Sequence, residues 1–540
     1  MLSENSSISF FPDLKDIPEA FKPEVLEQKE YLIDGELVHW DGPTTDVFSP
    51  VFLREKESYH RVRLGSYPEM GDDEAMKVLE AAKNAYNLGR GEWPTMRLKD
   101  RILCIENFLN AMHLQRGRVV NFLMWEIGKS RVDSEAEFER TVEYITDTIR
   151  AVKDLDRDSS NLHLNGGIYA QIRRGPLGVV LCMGPYNYPL NETFATLIPA
   201  LIMGNTVVFR PAKLGILLIY PLLKAFRDSF PRGVINVLYG DGKKTAGTLM
   251  ESGKIDVLAF IGSSRVANIL KKQHPYPNRL RSVLGLDAKN PAIILPDADL
   301  EVAINECLNG TLAFNGQRCT AIKMIFVHQS VIYEFLEKFC KKMEGLKAGM
   351  PWEDNVTITP LPEPEKPGYL KDLMDDAVQK GATIKNPKGG FQEKSMVLPA
   401  LLYPVNDQMR IYHEEQFGPL IPVASFEHID EPIQYITQSK YGQQVSIFSN
   451  DADEIARLID PLVNQVCRVN INTKCQRGPD IYPFNGRKDS GEGTLSVSDA
   501  LRVFSIRTMV ATRDNESNNT LFNQIIEGQK SHFLSRDFLL

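Results

Sequence analysis

Residues 179–213 read VVLCMGPYNYPLNETFATLIPALIMGNTVVFRPAK, and this stretch decides the fold. It begins with a short apolar run, Val179–Met183, continues through a helical stretch near 191–203, and ends in a second apolar run, Val207–Phe209. Strands that are apolar on both faces and separated by helices are typical of a parallel sheet covered on both sides. The stretch therefore predicts one strand–helix–strand unit of a doubly wound α/β domain.

The same alternation continues downstream. Further apolar runs are Val234–Leu238 and Val257–Ile261. Helical stretches are expected near 215–229, 243–251 and 264–272, so the two kinds of segment alternate. A second α/β series from Ala292 to Ile447 predicts a separate domain. In parallel sheets of this kind, ligands bind beyond the carboxyl ends of the strands. We therefore expect the functional residues in the loops that follow the strands.

Upstream of this stretch the sequence is mainly helical. Asp72 is predicted to cap a helix that ends near Tyr86, and more helix is expected from about Leu98 to Ile149. Leu162 to Arg174 reads as a hairpin around Asn165-Gly166-Gly167. This hairpin is either an oligomerisation arm or an exposed edge. The polar, then amphipathic tail after Thr512 is either a docking segment or largely disordered.

Composition excludes several classes of protein. A net charge of −8 and 43% hydrophobic residues are ordinary for a soluble protein and favour neither nucleic acid nor a membrane surface as partner. The most apolar stretch, Thr193–Gly204, is too short to span a bilayer, and the N-terminus does not resemble a signal peptide. The chain has 7 cysteines, and they show no metal-ligand spacing. We expect a reduced, cytoplasmic chain without a disulfide framework or a zinc site.

Two loops carry candidate catalytic residues. Asn187 lies in Gly184–Pro189, directly after a buried strand, where its amide can donate to a developing oxyanion. The alternative is that Asn187 only makes a turn. Cys319 lies in the polar loop Phe314–Thr320 beside Arg318, and nearby positive charge favours the thiolate. The alternative is an inert buried cysteine.

Glycine-rich turns supply candidate cofactor contacts. Gly240-Asp241-Gly242 precedes a helix but lacks the third glycine of a dinucleotide fingerprint. Gly262-Ser263 opens another helix, whose free N–H groups suit a phosphate.

Taken together, the motifs resemble the aldehyde dehydrogenase superfamily in order and spacing. Gly184–Pro189 resembles P-W-N-F-P, and Phe314–Thr320 resembles the F-x-x-x-G-Q-x-C nucleophile loop. Further matches are Val207–Lys213, Phe260–Ser264, Glu414–Pro419 and Pro483–Gly491. The resemblance implies that Cys319 is the nucleophile and that Asn187 holds the oxyanion. It also implies a cofactor site formed by Pro185, Tyr186, Arg210, Lys213, Gly242, Gly262, Ser263, Glu415 and Phe417.

Several stretches resemble the NADP-dependent, non-phosphorylating glyceraldehyde-3-phosphate dehydrogenases. They include Gly89–Met96 and Cys475–Asp480. The resemblance implies a phosphorylated aldehyde substrate whose phosphate is held by Arg140, Tyr188, Arg318 and Arg477. Lys213 stands where NAD-using members often have Glu, and a cation there favours a 2′-phosphate, so NADP is expected and NAD is possible.

One position departs from the family pattern. Where the family has E-L-G-G-K-x-P, this chain reads Gly285-Leu286-Asp287-Ala288-Lys289-Asn290-Pro291, so Gly285 replaces the general-base Glu. Asp287 takes over if the strand continues through it, because alternate residues face the same side. Otherwise a different nucleophile such as coenzyme A releases the acyl group, or turnover has been lost.

The resemblance also implies how the chain is divided. Residues 1–153 and 176–290 are expected to bind the nicotinamide cofactor, and residues 291–495 to form the catalytic domain. Residues 154–175 and 496–513, including a strand over Leu501–Val510, are expected to form an oligomerisation arm of a homodimer or homotetramer. Residues 514–540 form the tail.

Overall fold

The structure is a computed structural model that describes residues 9–56 and 58–536. Its first large sheet has six strands, and it confirms the unit predicted over residues 179–213. In spatial order the strands are Ile235–Val237, Thr206–Arg210, Val179–Met183, Val257–Ile261, Arg281–Gly285 and Gly491–Glu492. The first five run parallel, and Gly491–Glu492 pairs antiparallel with its neighbour. The chain order reverses beside Val179–Met183, which is where such sheets bind ligands.

Helices follow these strands. They are Asn191–Ile202, Tyr220–Ser229, Gly242–Glu251 and Ser264–Gln273. Every residue of Asn191–Ile202 is buried, which agrees with the mainly apolar sequence of this helix from Phe194 onwards.

The N-terminal part is mainly helical, with two small sheets. Its main helices are Asp72–Tyr86, Glu92–Thr95, Leu98–His113, Arg116–Ile127 and Arg131–Ser159. Its strands are Leu26–Glu27, Glu30–Ile33, Glu36–His39, Thr44–Glu55 and Ser58–Pro68. The helix at Asp72 is confirmed, although Gly71 is its N-cap. The helical sequence expected from about Leu98 to Ile149 forms three helices. The first ends at His113; Gly128, with a φ of 67°, ends the second, and Ser130 caps the third.

The second large sheet has seven strands. In spatial order they are Thr383–Ile384, Ala400–Tyr403, Leu420–Phe426, Ile322–His328, Asn290–Ile294, Gln444–Phe448 and Arg468–Ile471. Its helices are Leu300–Leu312, Ile332–Met343, Lys366–Gln379, Arg410–His413, Asp430–Gln438 and Ala452–Leu462. Short strand pairs flank it at Gln392–Glu393 with Met396–Val397 and at Tyr441–Gly442 with Arg487–Lys488. The prediction of a second α/β series is confirmed.

The predicted hairpin lies in a separate sheet of three strands. Leu162–Asn165 and Ile168–Pro176 pair antiparallel around two glycines, and Ser505–Arg513 adds the third strand. The strand predicted from Leu501 starts later, because Ser496 caps a helix over Val497–Val503.

The tail is helical over Glu516–Glu527 and docks on this sheet. Phe522, Ile526 and Leu534 are buried against Tyr169 and Val510. Docking is therefore the correct alternative for residues 514–536, whereas residues 537–540 lie outside the described residues. Among the described residues, no helix is long and apolar enough to cross a membrane.

Candidate active site

The nucleophile loop, residues 313–321, has an unusual backbone. Phe314, Asn315 and Gly316 have φ of 49°, 55° and 73° in succession. For a residue with a side chain, such a conformation costs about 1–3 kcal/mol and persists only where the surroundings enforce it. The buried Asn315 amide supplies that constraint, since it accepts from Thr359 N at 2.9 Å and donates to Thr359 O at 3.1 Å. The loop is thus fixed in one shape just before Cys319.

Polar groups from two other segments hold Cys319. Its carbonyl oxygen accepts from Asn290 Nδ2 at 2.8 Å and from Lys323 Nζ at 2.9 Å. Burial raises the pKa of the Cys319 thiol, while the Lys323 charge and a hydrogen bond from Gln443 act to lower that pKa. The amide oxygen of Gln443 is fixed by Asn290 Nδ2 at 3.2 Å. Burial and the nearby Glu415 carboxylate outweigh these groups, so the pKa of the Cys319 thiol is raised overall.

Asn187 contacts the nucleophile loop, as its proposed role requires. Its Nδ2 donates to the Gln317 carbonyl oxygen at 2.7 Å. An amide NH₂ has two hydrogens, so one N–H is left for another acceptor. The oxyanion loop, residues 184–190, and the nucleophile loop are therefore joined by the residue expected to stabilise an oxyanion.

A buried ion pair makes hydrogen bonds to the backbone of the oxyanion loop and the residue that follows it. Lys129 and Glu137 have fully buried side chains in direct contact. Lys129 Nζ donates to the Asn187 carbonyl oxygen at 2.7 Å, and Glu137 accepts from the backbone N–H groups of Leu190 and Asn191 at 3.0 and 3.1 Å. The pair thus fixes the backbone from Asn187 to Asn191.

Glu415 and Phe417 lie close to the nucleophile loop. Glu415 Oε1 accepts from Lys323 Nζ at 2.6 Å and from Ala288 N at 3.1 Å. Phe417 has a φ of 44°, and its ring lies edge-on to the Tyr186 ring at 6.0 Å between centroids. The Tyr186 hydroxyl donates to Glu363 Oε2 at 2.7 Å. These side chains connect the second sheet with the loop that contains Pro185, which is partly exposed.

Gly285 leaves the base position without a carboxylate, and Asp287 does not replace it by continuing the strand. The strand ends at Gly285, so the expectation that it runs on through Asp287 is wrong. Asp287 Oδ2 instead accepts from Ser264 N and from Ser264 Oγ, each at 2.8 Å. Asp287 is therefore committed to the start of helix Ser264–Gln273.

The predicted cofactor residues border the carboxyl edge of the first sheet. Arg210 Nη2 donates to Gly240 O at 2.8 Å, while its buried Nε has no hydrogen-bond partner among the described residues. A Cβ on Gly242 would lie 2.9 Å from Arg210 Nη2, so the glycine makes room for the guanidinium. Lys213 is exposed nearby in the chain, just beyond the same strand.

Directly after the strand Val257–Ile261, a glycine is also required for steric reasons. A Cβ on Gly262 would lie 2.4 Å from the Phe260 ring. Ser263 caps helix Ser264–Gln273 by accepting from Val266 N at 3.4 Å. The turn thus presents backbone at the start of a helix.

The four residues expected to hold a substrate phosphate have different surroundings. Arg140 makes two hydrogen bonds to Asp480, at 2.7 and 2.8 Å, and its side chain keeps 29% exposure. Arg477, whose side chain is 4% exposed, contacts Glu192 and Asp480.

Arg318 lies within the nucleophile loop, and Tyr188 packs against that loop. The ring of Tyr188 lies 6.1 Å from the ring of Phe314, and burial raises the pKa of its hydroxyl to about 12. Arg318 Nη2 donates to Gly310 O at 3.0 Å, and its buried Nε has no partner in the described part of the chain.

Sequence reasoning missed five residues that the structure places around the nucleophile and oxyanion loops. They are Lys129, Glu137, Asn290, Lys323 and Gln443. An isolated Lys or Gln in a sequence carries no signal of its distant partner. Lys323 alone could have been found, because it follows Cys319 by four residues at the start of a buried strand.

The chain belongs to the aldehyde dehydrogenase family, whose model matches residues 53–510. It is 32% identical over 460 residues to the NADP-dependent glyceraldehyde-3-phosphate dehydrogenase of Streptococcus equinus, a match that covers 83% of this chain and 92% of that protein. The Pisum sativum enzyme of the same name is 30% identical over 496 residues, covering 89% and 95%.

A solved structure agrees with this assignment. The crystal structure of NADP-dependent glyceraldehyde-3-phosphate dehydrogenase from Bacillus halodurans complexed with NADP superposes with a TM-score of 0.82 and 30% identity, covering 91% of this chain and 100% of that one. The predicted family, fold and aldehyde dehydrogenase activity are confirmed.

Proposed function

We propose that the protein oxidises a short phosphorylated aldehyde, glyceraldehyde 3-phosphate, to the acid 3-phosphoglycerate with NADP, through a thioester on Cys319. The observation that carries the proposal is the contact between the Asn187 amide and the nucleophile loop, at 2.7 Å from Gln317 O. It supports the proposal that the Asn187 amide donates to the carbonyl oxygen that becomes negatively charged when Cys319 attacks the aldehyde. The names of the relatives supply the choice of substrate and cofactor.

The residues fit a phosphorylated nicotinamide cofactor. Arg210 has a buried, unpartnered Nε in the described structure, and an anionic or hydroxyl group can satisfy it. Lys213 adds an exposed cation close to it in the chain, while Gly242, Gly262 and Ser263 offer backbone at helix starts, which suits phosphate. Glu415, Phe417, Pro185 and Tyr186 would hold the nicotinamide end. When bound, NADP supplies the oxidant that takes the substrate from the aldehyde to the acyl level.

The protein's own groups perform the addition and the release. The Cys319 sulfur forms a bond to the aldehyde carbon while the π electrons of the carbonyl move to its oxygen. The free N–H of Asn187 donates to that oxygen, a contribution worth about 10²–10³ in rate. Arg140, Tyr188, Arg318 and Arg477 would orient the phosphate, because guanidinium groups pair with it bidentately.

Release of the acyl group is the slow step in this proposal. Water oxygen must bond to the acyl carbon as the carbon–sulfur bond breaks, and a base must take the water proton. Gly285 has no side chain for this, and Asp287 already accepts two hydrogen bonds from Ser264. Coenzyme A is a second candidate acceptor, favoured by this missing carboxylate.

One assay tests the proposal. NADPH formation is followed with glyceraldehyde 3-phosphate, with and without coenzyme A and with and without inorganic phosphate. Turnover that needs neither supports hydrolysis to the acid, and dependence on coenzyme A supports the second candidate. A single burst equal to the enzyme concentration indicates an acyl-enzyme that is not released. Absence of NADPH with every substrate combination would contradict the proposal.

The remaining expectations belong to the same proposal. We propose a cytoplasmic homodimer or homotetramer in which residues 154–175 and 496–513 form the contact arm. Residues 1–153 and 176–290 then bind the cofactor, and residues 291–495 supply the nucleophile. Two sheets that meet at the nucleophile loop and a separate three-stranded sheet support this division.

A further inference from the structure

A cavity of about 570 Å³ lies away from the nucleophile loop, between the helical N-terminal part, the three-stranded sheet and the tail. None of the residues proposed for catalysis, cofactor or substrate lines it. Its walls come from residues 89–101, the end of helix Arg131–Ser159, strand residues 173–176 and tail residues 530–533. Its size is in the range of small-molecule sites and well above that of an inorganic ion.

The cavity is cationic. Arg101, Arg173, Arg174 and Lys530 line it, and Asp156 is the one carboxylate among its lining residues. Asp156 is already in contact with Arg173. The described lining residues therefore carry four cationic side chains against one carboxylate, which leaves a net positive charge.

Arg101 is the most informative of these residues. It is 9% exposed, and its hydrogen bonds go to two backbone carbonyl oxygens, Ile202 O at 2.9 Å and Met96 O at 3.0 Å. Among residues 9–56 and 58–536, no carboxylate lies within 4.0 Å of its guanidinium. Burial lowers the pKa of Arg101 to about 10. A buried cation without an ion-pair partner is costly, and an anion from solution would relieve that cost.

The tail closes the cavity and is anchored on both sides of it. His532 Nδ1 bonds to Thr95 O at 2.7 Å. Ser535 N donates to Gln171 Oε1 at 3.1 Å, and Arg173 Nη1 donates to Ser535 O at 3.0 Å. Lys530, two residues before the first anchor, and Phe533, between the two anchors, both line the cavity. A molecule bound in the cavity would therefore contact the tail and hold it in place.

We propose that this cavity binds a small organic phosphate and that binding locks the tail onto the body of the protein. Arg101, Arg174 and Lys530 recognise the phosphate, because guanidinium and ammonium groups pair strongly with its oxygens. Pro94, Met96, Leu98, Val152 and Phe533 line the rest of the cavity and accommodate an apolar portion. The site does not depend on the chemistry at Cys319.

The test uses phenyl phosphate, which joins a phosphate to an apolar ring, with phenol and inorganic phosphate as comparison compounds. Affinity is measured by calorimetry on the full chain, and hydrogen–deuterium exchange locates the protected peptides. We expect phenyl phosphate to slow exchange in residues 530–536 and to bind more tightly than either comparison compound. Arg101→Gln and Lys530→Glu should each weaken binding about tenfold or more.

Lys272→Glu is the matched control, because it makes the same charge change on an exposed residue outside the cavity. It should leave the affinity unchanged. Lys530 is also exposed, so Lys530→Glu gives a folded variant even if Arg101→Gln does not fold. The proposal is overturned if phenol protects the tail equally, if only peptides of the nucleophile loop are protected, or if Lys530→Glu binds as the unaltered protein does. Each readout is independent of aldehyde oxidation.

Discussion

Gly285→Glu should accelerate release of the acyl group. The structure accepts a Cβ at this position, since it would lie 3.4 Å from Ile261 Cγ1 and 3.5 Å from Leu495 Cδ1, which are ordinary contacts. The φ of Gly285 is not positive, so the backbone accepts a side chain without strain. The change restores a carboxylate at the position where the family pattern has its general-base Glu.

The expected gain follows from what a positioned base supplies. General bases contribute about 10²–10⁴ in rate. We expect the lower end, about 10², because Ile261 and Leu495 form an apolar wall that restricts the carboxylate. A factor of about 10² corresponds to about 2.7 kcal/mol of activation free energy.

Rapid-mixing kinetics separate the two half-reactions. The unaltered protein should show a burst of NADPH followed by a slow steady rate, and Gly285→Glu should raise the steady rate without changing the burst. Gly285→Gln, with nearly the same volume and no base, is the matched control and should keep the slow steady rate. Equal steady rates in the Glu and Gln variants would refute the reasoning.

Three other substitutions test the surroundings of the site. Gln443→Leu removes a hydrogen-bond donor that lowers the thiol pKa of Cys319. The pH profile of iodoacetamide alkylation should therefore move to higher pH, and the alkylation rate at pH 8 should fall roughly 2- to 10-fold. An unmoved pH profile would contradict this prediction. Lys129→Met leaves Glu137 buried without its partner and should cost about 3–5 kcal/mol in urea unfolding, most of it recovered by adding Glu137→Gln. Recovery of kcat along with stability would show that the pair does not position the oxyanion loop. Arg140→Gln should raise KM about tenfold or more for glyceraldehyde 3-phosphate and leave KM for a neutral aldehyde unchanged; equal shifts would exclude a phosphate contact.

Much of the fold could be predicted because its signals are local. The buried strands Val179–Met183 and Val257–Ile261 have the predicted bounds, since four or five consecutive apolar residues between turns leave little choice. The late strand was predicted to start too early because Leu501-Arg502-Val503 alternates apolar and charged residues as a strand does. Only the capping hydroxyl of Ser496 makes that segment helical.

Site residues could be predicted where they lie in a recognisable sequence motif. Residues whose role depends on contacts with distant parts of the chain were missed. Cys319 and Asn187 stand in recognisable loops, and the structure brings those loops together. The Lys129–Glu137 pair gives no sequence signal, because its contact with the oxyanion loop joins residues 58 positions apart. Asp287 was to act as the base if the strand continued through it. Asp287 instead accepts a hydrogen bond from Ser264, 23 positions away, and its neighbours in sequence give no signal of that contact.

The central claim is that the acyl group is carried on one sulfur. Protein mixed with glyceraldehyde 3-phosphate and NADP is quenched in acid within the burst phase, digested, and analysed by mass spectrometry. We expect a phosphoglyceroyl adduct on the peptide that contains Cys319, in an amount matching the NADPH formed, and no adduct in Cys319→Ser. NADPH formed at an unchanged rate by Cys319→Ser, or an adduct on another cysteine, would contradict the account.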